Sequence, residues 1–278
     1  MGREMSNLLD KFSKVKVNAA ARISPEDAER CDKEQALYDR AYTLYTKFRA
    51  ELAEGISFEK QATGEHRLYC VEYGNGGLDD TDKRIYDIQM SFVSRITYVF
   101  TNKYNVDINL SDIEKTLGIT QYNKYHISKE AHIKSTRKLC YNEILDEILL
   151  QLGGLSFADK AVQQIKDNAK KGAHNYYTVN KKIIQFGESF ARWDKNYHPV
   201  LLALWHFKTG TTSMAGSWWQ RKFQKSYSYY NDDERVGSPF EFEDGNIRKM
   251  RYFKNGRWDI TFASAELADT FAREYLGY

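Results

Sequence analysis

The ionisable side chains of this sequence show few of the spacings that catalysis requires. A bound metal ion needs several carboxylate, imidazole or thiolate ligands that converge from rigid elements. The sequence has no H-E-x-x-H, C-x-x-C or G-x-S-x-G motif. Its six histidines follow no ligand spacing and are His66, His126, His132, His174, His198 and His206. We therefore predict no resident metal, no cofactor and no enzymatic activity.

Two short acidic runs near the C-terminus are the exception. Asp232, Asp233, Glu241 and Glu243 offer the oxygen ligands that Mg²⁺ prefers. These residues make a metal-dependent nuclease one interpretation of the chain. The other, which their spacing favours, is a solvated acidic loop that precedes a hairpin.

A basic and aromatic segment is the most informative part of the chain. Residues 195–231 contain no Asp or Glu, while cationic and aromatic side chains alternate. Trp, Tyr and Arg dominate the affinity of protein interfaces. The predicted partner-binding residues are Trp218, Trp219, Arg221, Lys222, Phe223, Lys225, Tyr227, Tyr229 and Tyr230.

Two other roles stay open for the same segment. Aromatic rings beside cations can stack on nucleic-acid bases, with Lys208, Arg221, Lys222 and Lys225 on the phosphates. The rings can also pack inside the fold. Adjacent residues of a strand point to opposite faces, so Trp218 and Trp219 cannot both fill one strand face.

Composition limits the class of protein. A chain of 278 residues with 42% hydrophobic and 28% charged residues can bury a core without disulfides. Its 41 basic and 38 acidic residues give a net charge of +3, too balanced to indicate a polyanion partner for the whole molecule. The three cysteines form no paired spacing. With no signal-peptide pattern and no apolar run long enough to span a bilayer, we predict a cytoplasmic protein without membrane contact.

Hydrophobic periodicity predicts an α+β protein with three parts. Residues 1–23 are expected to form a mobile arm, 24–172 a mainly helical domain with a short strand near 67–73, and 173–278 a mixed α/β domain. Ser24 and Pro25 start a long helix that Gly55 is expected to end. Its stripe of Leu37, Tyr38, Leu44, Tyr45, Phe48 and Leu52 indicates a core or helix-partner surface.

A short helix is predicted after residue 110, where Ser111 and Glu114 match a reciprocal capping box. It would stop at Gly118, and a second helix could begin at Thr120, as in a helix-turn-helix. The charged Glu114 falls where such motifs place a small residue. A structural helical corner is therefore the favoured interpretation.

The C-terminal end carries the clearest local pattern. Asn255 and Gly256 separate two strand-forming runs, at 250–253 and 258–262, which predicts an antiparallel hairpin. Trp258, Ile260 and Phe262 share one strand face. Ser264 then caps a closing helix that is expected to bury Leu267, Phe271 and Tyr275. Upstream, a strand is predicted at 181–186 and an apolar helix at 198–209.

This hairpin resembles that of a family of plasmids, integrative elements and phages, the domain of unknown function 4942. The similarity covers Arg251-Tyr252-Phe253-Lys254-Asn255-Gly256, the strand at 258–262 and the helix that begins at Glu266-Leu267. The segment Asn180-Lys181-Lys182-Ile183-Ile184 is similar to Gly-Lys-Lys-Ile-Ile in that family, and the N-terminal helix at 37–41 is compatible with it.

The resemblance implies service near mobile-element DNA or host defence, because family members are sometimes joined to adenine-specific DNA methyltransferases. This chain has no Asn/Asp-Pro-Pro-Tyr/Phe motif, so methyl transfer does not carry over. The leading hypothesis is a non-enzymatic interaction protein of a phage or mobile element that binds and inhibits a host protein complex. The alternative is a DNA-associated accessory factor, and a homo-oligomer is expected where aromatic patches would otherwise face solvent.

Overall fold

Long helices dominate the first half of the chain, and a five-stranded antiparallel sheet forms in the second. The computed structural model describes residues 23–64, 69–70, 76–119, 137–224 and 236–278. Two compact units result, one of Met1–Lys103 with Ile108–Gly154 and one of Tyr104–Asp107 with Leu155–Tyr278. The predicted α+β class with a helical N-terminal part is confirmed. Residues 1–22 of the predicted arm, and all but 69–70 of the predicted strand, lie outside the described residues.

The helical unit is held together by an apolar core. Its described helices are α1 (Pro25–Thr63), α2 (Leu78–Tyr104), α3 (Leu110–Thr116) and α4 (Tyr141–Leu152). Ile85 and Ile96 of α2 and Ile144 and Ile148 of α4 are fully buried, at the three- and four-residue spacing of one helix face. Within the described residues, no helix is long and apolar enough to cross a membrane.

The first helix is longer than its sequence pattern indicates. Ser24 starts it as predicted, since its hydroxyl accepts a hydrogen bond from the N–H of Asp27 at 3.2 Å. Gly55 does not end it: α1 continues to Thr63, and Gly64 closes it with φ +64°. A Cβ at Gly55 would lie 2.8 Å from Sγ of Cys70. This glycine therefore leaves room for a neighbouring segment.

The cap of α3 also differs from the prediction. Asn109, two residues before Ser111, accepts hydrogen bonds from the N–H groups of Ser111 and Asp112 through its side chain. Its amide reaches the helix start sooner than the hydroxyl of Ser111, which lies inside the first turn. The second helix of the predicted corner, from Thr120, lies outside the described residues.

The sheet of the C-terminal unit has the order β1-β2-β5-β4-β3, with all neighbours antiparallel. Its described elements are α5 (Phe157–Ala173), β1 (Tyr177–Asn180), β2 (Ile183–Phe186), a 3₁₀ turn (Phe190–Arg192), α6 (Asp194–Thr209), α7 (Trp218–Phe223), β3 (Phe240–Glu241), β4 (Ile247–Tyr252), β5 (Trp258–Phe262), α8 (Ala265–Phe271) and a π-helical turn (Ala272–Leu276). The sequence pattern missed β1. Lys181 and Lys182 connect β1 to β2 and do not belong to a strand, because Lys181 has φ +50°.

One face of this sheet carries the core of the unit. Alternate residues of each strand point inward, so Trp258, Ile260 and Phe262 are fully buried, as predicted. They pack in one cluster with α5, α6 and the C-terminal elements. Of the residues expected to be buried by the closing helix, Phe271 and Tyr275 are buried, and Leu267 is partly buried against the same core.

The predicted hairpin forms, but Asn255 and Gly256 do not both take the positive φ that is typical of a two-residue Asn-Gly turn. Tyr252 pairs with Trp258, and the N–H of Gly256 donates to the carbonyl of Phe253 at 2.8 Å. Gly256 has φ +81°, whereas Asn255 is not in the left-handed region. A Cβ at Gly256 would lie 2.7 Å from Cα of Ser189. Glycine is thus required here both by the turn and by a neighbouring backbone.

The division between the units lies at Gly154 and Leu155, whereas the change of sequence character placed it near residue 172. The helix α5 accounts for the difference. It packs on α6 and the π-helical turn, and its Ile165 and Ala169 join the core under the sheet. A helical pattern does not reveal which neighbour a helix packs against.

Candidate interaction surface

The helix α7 divides the two adjacent tryptophans of the predicted site between core and surface. Ser217 starts this short helix, accepting a hydrogen bond from the N–H of Gln220 at 3.0 Å. Trp219 and Phe223 stand four residues apart on its inner face and are fully buried, whereas 50% of Trp218 is exposed. Trp219 and Phe223 therefore pack inside the fold and are not available to bind a partner, contrary to the prediction.

Two buried rings and one partly buried ring support the exposed tryptophan. The Trp218 ring centroid lies 5.9 Å from that of Trp219, 5.7 Å from that of Phe223 and 6.2 Å from that of Phe242. Trp219 in turn stacks on Phe242 at 5.3 Å. Because the supporting rings are packed, the outer half of Trp218 is presented by a rigid base.

The predicted cations of this surface are not equally available. Arg221 is exposed. Lys222 is partly buried, and its ammonium lies 5.1 Å above the centroid of the Phe240 ring. The side chain of Lys208 is 17% exposed, and its Nζ donates a hydrogen bond to the carbonyl of Asp244 at 2.9 Å. Lys208 is therefore engaged within the fold, contrary to its predicted role as a phosphate contact. We use the name Trp218 surface for Trp218, Arg221 and Lys222.

The remaining predicted residues are only partly covered. Lys225, Tyr227, Tyr229, Tyr230, Asp232 and Asp233 lie at 225–235, outside the described residues. Of the other two carboxylates in the nuclease interpretation, Glu241 lies 3.2 Å from Nζ of Lys249 and Glu243 is exposed. Among the residues that the structure describes, no group of three or more His, Cys, Asp or Glu side chains is placed to hold a metal ion.

A partly buried polar contact joins α6 to the C-terminal π-helical turn. Nδ1 of His206 and the Tyr275 hydroxyl are 2.7 Å apart. Burial, together with the nearby Lys166 ammonium, lowers the pKa of His206. Burial and the Glu274 carboxylate raise the pKa of Tyr275 to about 12. The phenol therefore stays protonated at neutral pH, which suits a structural hydrogen bond rather than a nucleophile.

Two sets of exposed apolar residues lie outside the Trp218 surface. On α1, the predicted stripe is split: Tyr38 is buried, but Leu37, Leu44 and Phe48 are 59%, 64% and 44% exposed. In the C-terminal unit, Tyr176 and Trp193 are 54% and 59% exposed beside a cavity of about 310 Å³. The helical stripe predicted the first set as a core or helix-partner surface, whereas sequence reasoning missed the second set, which no sequence pattern distinguishes.

Comparison of the chain with protein-family models, with curated proteins and with solved structures finds no match. The resemblance to the mobile-element family therefore stays an expectation that rests on the hairpin and closing-helix residues.

Proposed function

We propose that the protein is a non-enzymatic interaction protein of a phage or mobile element that binds a host protein complex, such as a defence system acting on DNA, and blocks it. The observation that carries the proposal is the exposed half of Trp218 on its base of packed rings. A rigid aromatic ring beside an arginine is typical of the residues that anchor protein interfaces. The resemblance of the hairpin supplies the mobile-element context.

The cations of the segment favour a protein partner over nucleic acid. Phosphate binding needs several free cations along one track. Of the described candidates, Lys208 is bound to the carbonyl of Asp244 and Lys222 is partly engaged over Phe240. Of these three candidates, Arg221 is the one that is exposed, which suits a single contact to a carboxylate or aromatic ring of a protein.

Affinity capture from host lysate tests the proposal. The tagged protein, its Trp218→Ala variant and a Trp193→Ala control are each captured with and without nuclease treatment, and bound proteins are quantified by mass spectrometry. Because both tryptophans are about half exposed in the same unit, the control removes an equivalent ring elsewhere. We expect a stoichiometric protein partner that survives nuclease, is lost with Trp218→Ala and is kept with Trp193→Ala.

Two results would contradict this function. Equal capture by all three proteins would exclude the Trp218 surface as the binding site. A partner that disappears on nuclease treatment would favour the DNA-associated accessory factor instead. In that case binding should weaken steeply with salt and fall with Arg221→Gln, because each phosphate contact releases counterions.

A homo-oligomer is a separate part of the proposal. The exposed Leu37, Leu44 and Phe48 lie at seven- and four-residue spacings along α1, the pattern of a helix-pairing seam. If copies pair through this face, Leu44→Glu should reduce the mass measured by light scattering to that of a monomer. An oligomer unchanged by Leu44→Glu would place the contact elsewhere.

A further inference from the structure

The cavity beside Tyr176 and Trp193 has the form of a small-molecule site. Its volume is about 310 Å³, at the lower end of the roughly 300–1,000 Å³ typical of ligand pockets. Phe190, which is 2% exposed, contributes an apolar surface and stacks on Phe186 with ring centroids 4.4 Å apart. All of these residues belong to the C-terminal unit.

The two exposed aromatic residues at this cavity are attached to fixed backbone. The N–H of Tyr176 donates to the carbonyl of Ala173 at 2.9 Å, and the carbonyl of Tyr176 accepts from the N–H of Gly187 at 2.7 Å. The carbonyl of Trp193 accepts from the N–H groups of Asn196 and Tyr197, both at 2.9 Å. Two planar side chains that are more than half exposed thus extend from fixed backbone and line one small cavity, which suits a ligand with a flat aromatic ring.

Opposite charges line the same cavity. Asn255 donates a hydrogen bond to Oε1 of Glu188 at 3.0 Å, which fixes this carboxylate while its lone pairs can accept further donors. Lys195 is exposed, and no described residue pairs with its ammonium. A ligand that binds both residues has hydrogen-bond donors that face the Glu188 carboxylate and an anionic group that faces the Lys195 ammonium.

We propose that this cavity binds a nucleotide whose base carries an amino group, with guanosine monophosphate as the representative probe. The base stacks on Trp193 and Tyr176, its amino group donates to Glu188, and its phosphate binds Lys195. The chemistry is the same for a free nucleotide and for the terminal nucleotide of a single strand. The inference does not depend on the Trp218 surface.

Isothermal titration of the intact protein with guanosine monophosphate tests the site. We expect saturable binding with a Kd below about 1 mM. Trp193→Ala should weaken it about tenfold or more, because stacking on one aromatic ring contributes an effect of this order. Since 59% of the Trp193 ring is exposed, the variant should keep its fold, which circular dichroism verifies. Trp218→Ala is the matched control and should bind as the wild type does.

Two further variants assign the polar contacts. Lys195→Gln should weaken the binding of guanosine monophosphate about tenfold. The binding of guanosine, which lacks the phosphate, should be unchanged. Glu188→Ala should remove the preference for guanosine monophosphate over inosine monophosphate, whose base has the same purine ring system without the amino group. If a single-stranded oligonucleotide that ends in guanosine binds more tightly than guanosine monophosphate, the natural ligand is the end of a strand. If the two bind equally, the natural ligand is a free nucleotide.

The proposal is overturned if the wild type shows no saturable binding of guanosine monophosphate, or if Trp193→Ala and Trp218→Ala bind it equally. Its failure is distinct from failure of the proposed function. Nucleotide binding is measured with purified protein, whereas partner capture depends on Trp218.

Discussion

Replacing Trp219 with alanine should destabilise the C-terminal unit far more than replacing its neighbour Trp218. Trp219 is fully buried, with ring centroids 5.0 Å from Phe223 and 5.6 Å from Trp205. Truncating a buried tryptophan to alanine leaves a cavity that costs about 3–5 kcal/mol. Trp218 is 50% exposed, so its loss removes about half of the roughly 1.5–3 kcal/mol of a fully buried large side chain, or about 1 kcal/mol.

The distribution of tryptophan makes the measurement specific. All five tryptophans, at 193, 205, 218, 219 and 258, belong to the C-terminal unit. Fluorescence during urea unfolding therefore follows this unit and not the helical one. We expect Trp219→Ala to lower the free energy of unfolding by about 2–4 kcal/mol more than Trp218→Ala does. Equal losses, or a larger loss for Trp218→Ala, would refute the division of this pair between core and surface.

Three further predictions use the same fluorescence assay. Gly256→Ala should lower the free energy of unfolding by at least about 1 kcal/mol more than Gly210→Ala does. Both glycines have positive φ, but only a Cβ at Gly256 would contact the Ser189 backbone. Similar losses for the two variants would count against that close contact. The wild-type unit should lose stability as pH falls below about 6.5, because the folded state holds the pKa of His206 below this ordinary value and the unfolded chain then binds more protons. In His206→Gln the free energy of unfolding should fall less steeply as the pH is lowered. If its pH dependence is unchanged, groups other than His206 cause the loss of stability. Tyr197→Phe should lower the free energy of unfolding by about 1–3 kcal/mol. The buried Tyr197 hydroxyl donates to the Phe223 carbonyl at 2.9 Å and lies 2.8 Å from the Tyr252 hydroxyl, so the variant leaves these groups without that partner. An unchanged stability would show that they find other partners.

Patterns within one element were predicted well from the sequence. Strand alternation placed Trp258, Ile260 and Phe262 on the buried face, and the hydroxyl of Ser24 marked the start of α1. These outcomes depend on local geometry, which sequence spacing encodes. The prediction that Gly55 ends α1 was wrong because this glycine instead makes room for the side chain of Cys70, a contact outside the helix that helical periodicity does not reveal.

Which residues of an apolar stripe are exposed depends on which of them a neighbouring element covers. The sequence of the helix alone does not contain this information. On α1, Tyr38 is covered, while Leu37 and Leu44 of the same stripe are exposed. The pair Trp218 and Trp219 shows the same limit, since strand alternation and a short helix both separate adjacent residues. Both rings contact Phe223 and Phe242, but Trp219 also packs on Trp205 of α6, with ring centroids 5.6 Å apart, and this contact between helices distinguishes the inner tryptophan.

Stability alone does not account for either half-exposed tryptophan. A single exposed apolar side chain is ordinary on a protein surface, but Trp218 rests on packed rings and Trp193 on fixed backbone beside a cavity. Ordering such a side chain costs conformational entropy, and partial burial recovers only part of the hydrophobic gain. Binding a partner or ligand would recover the rest. Because each tryptophan serves as the control for the other, an effect of Trp193→Ala on protein capture or of Trp218→Ala on nucleotide binding would show that the two surfaces are not independent.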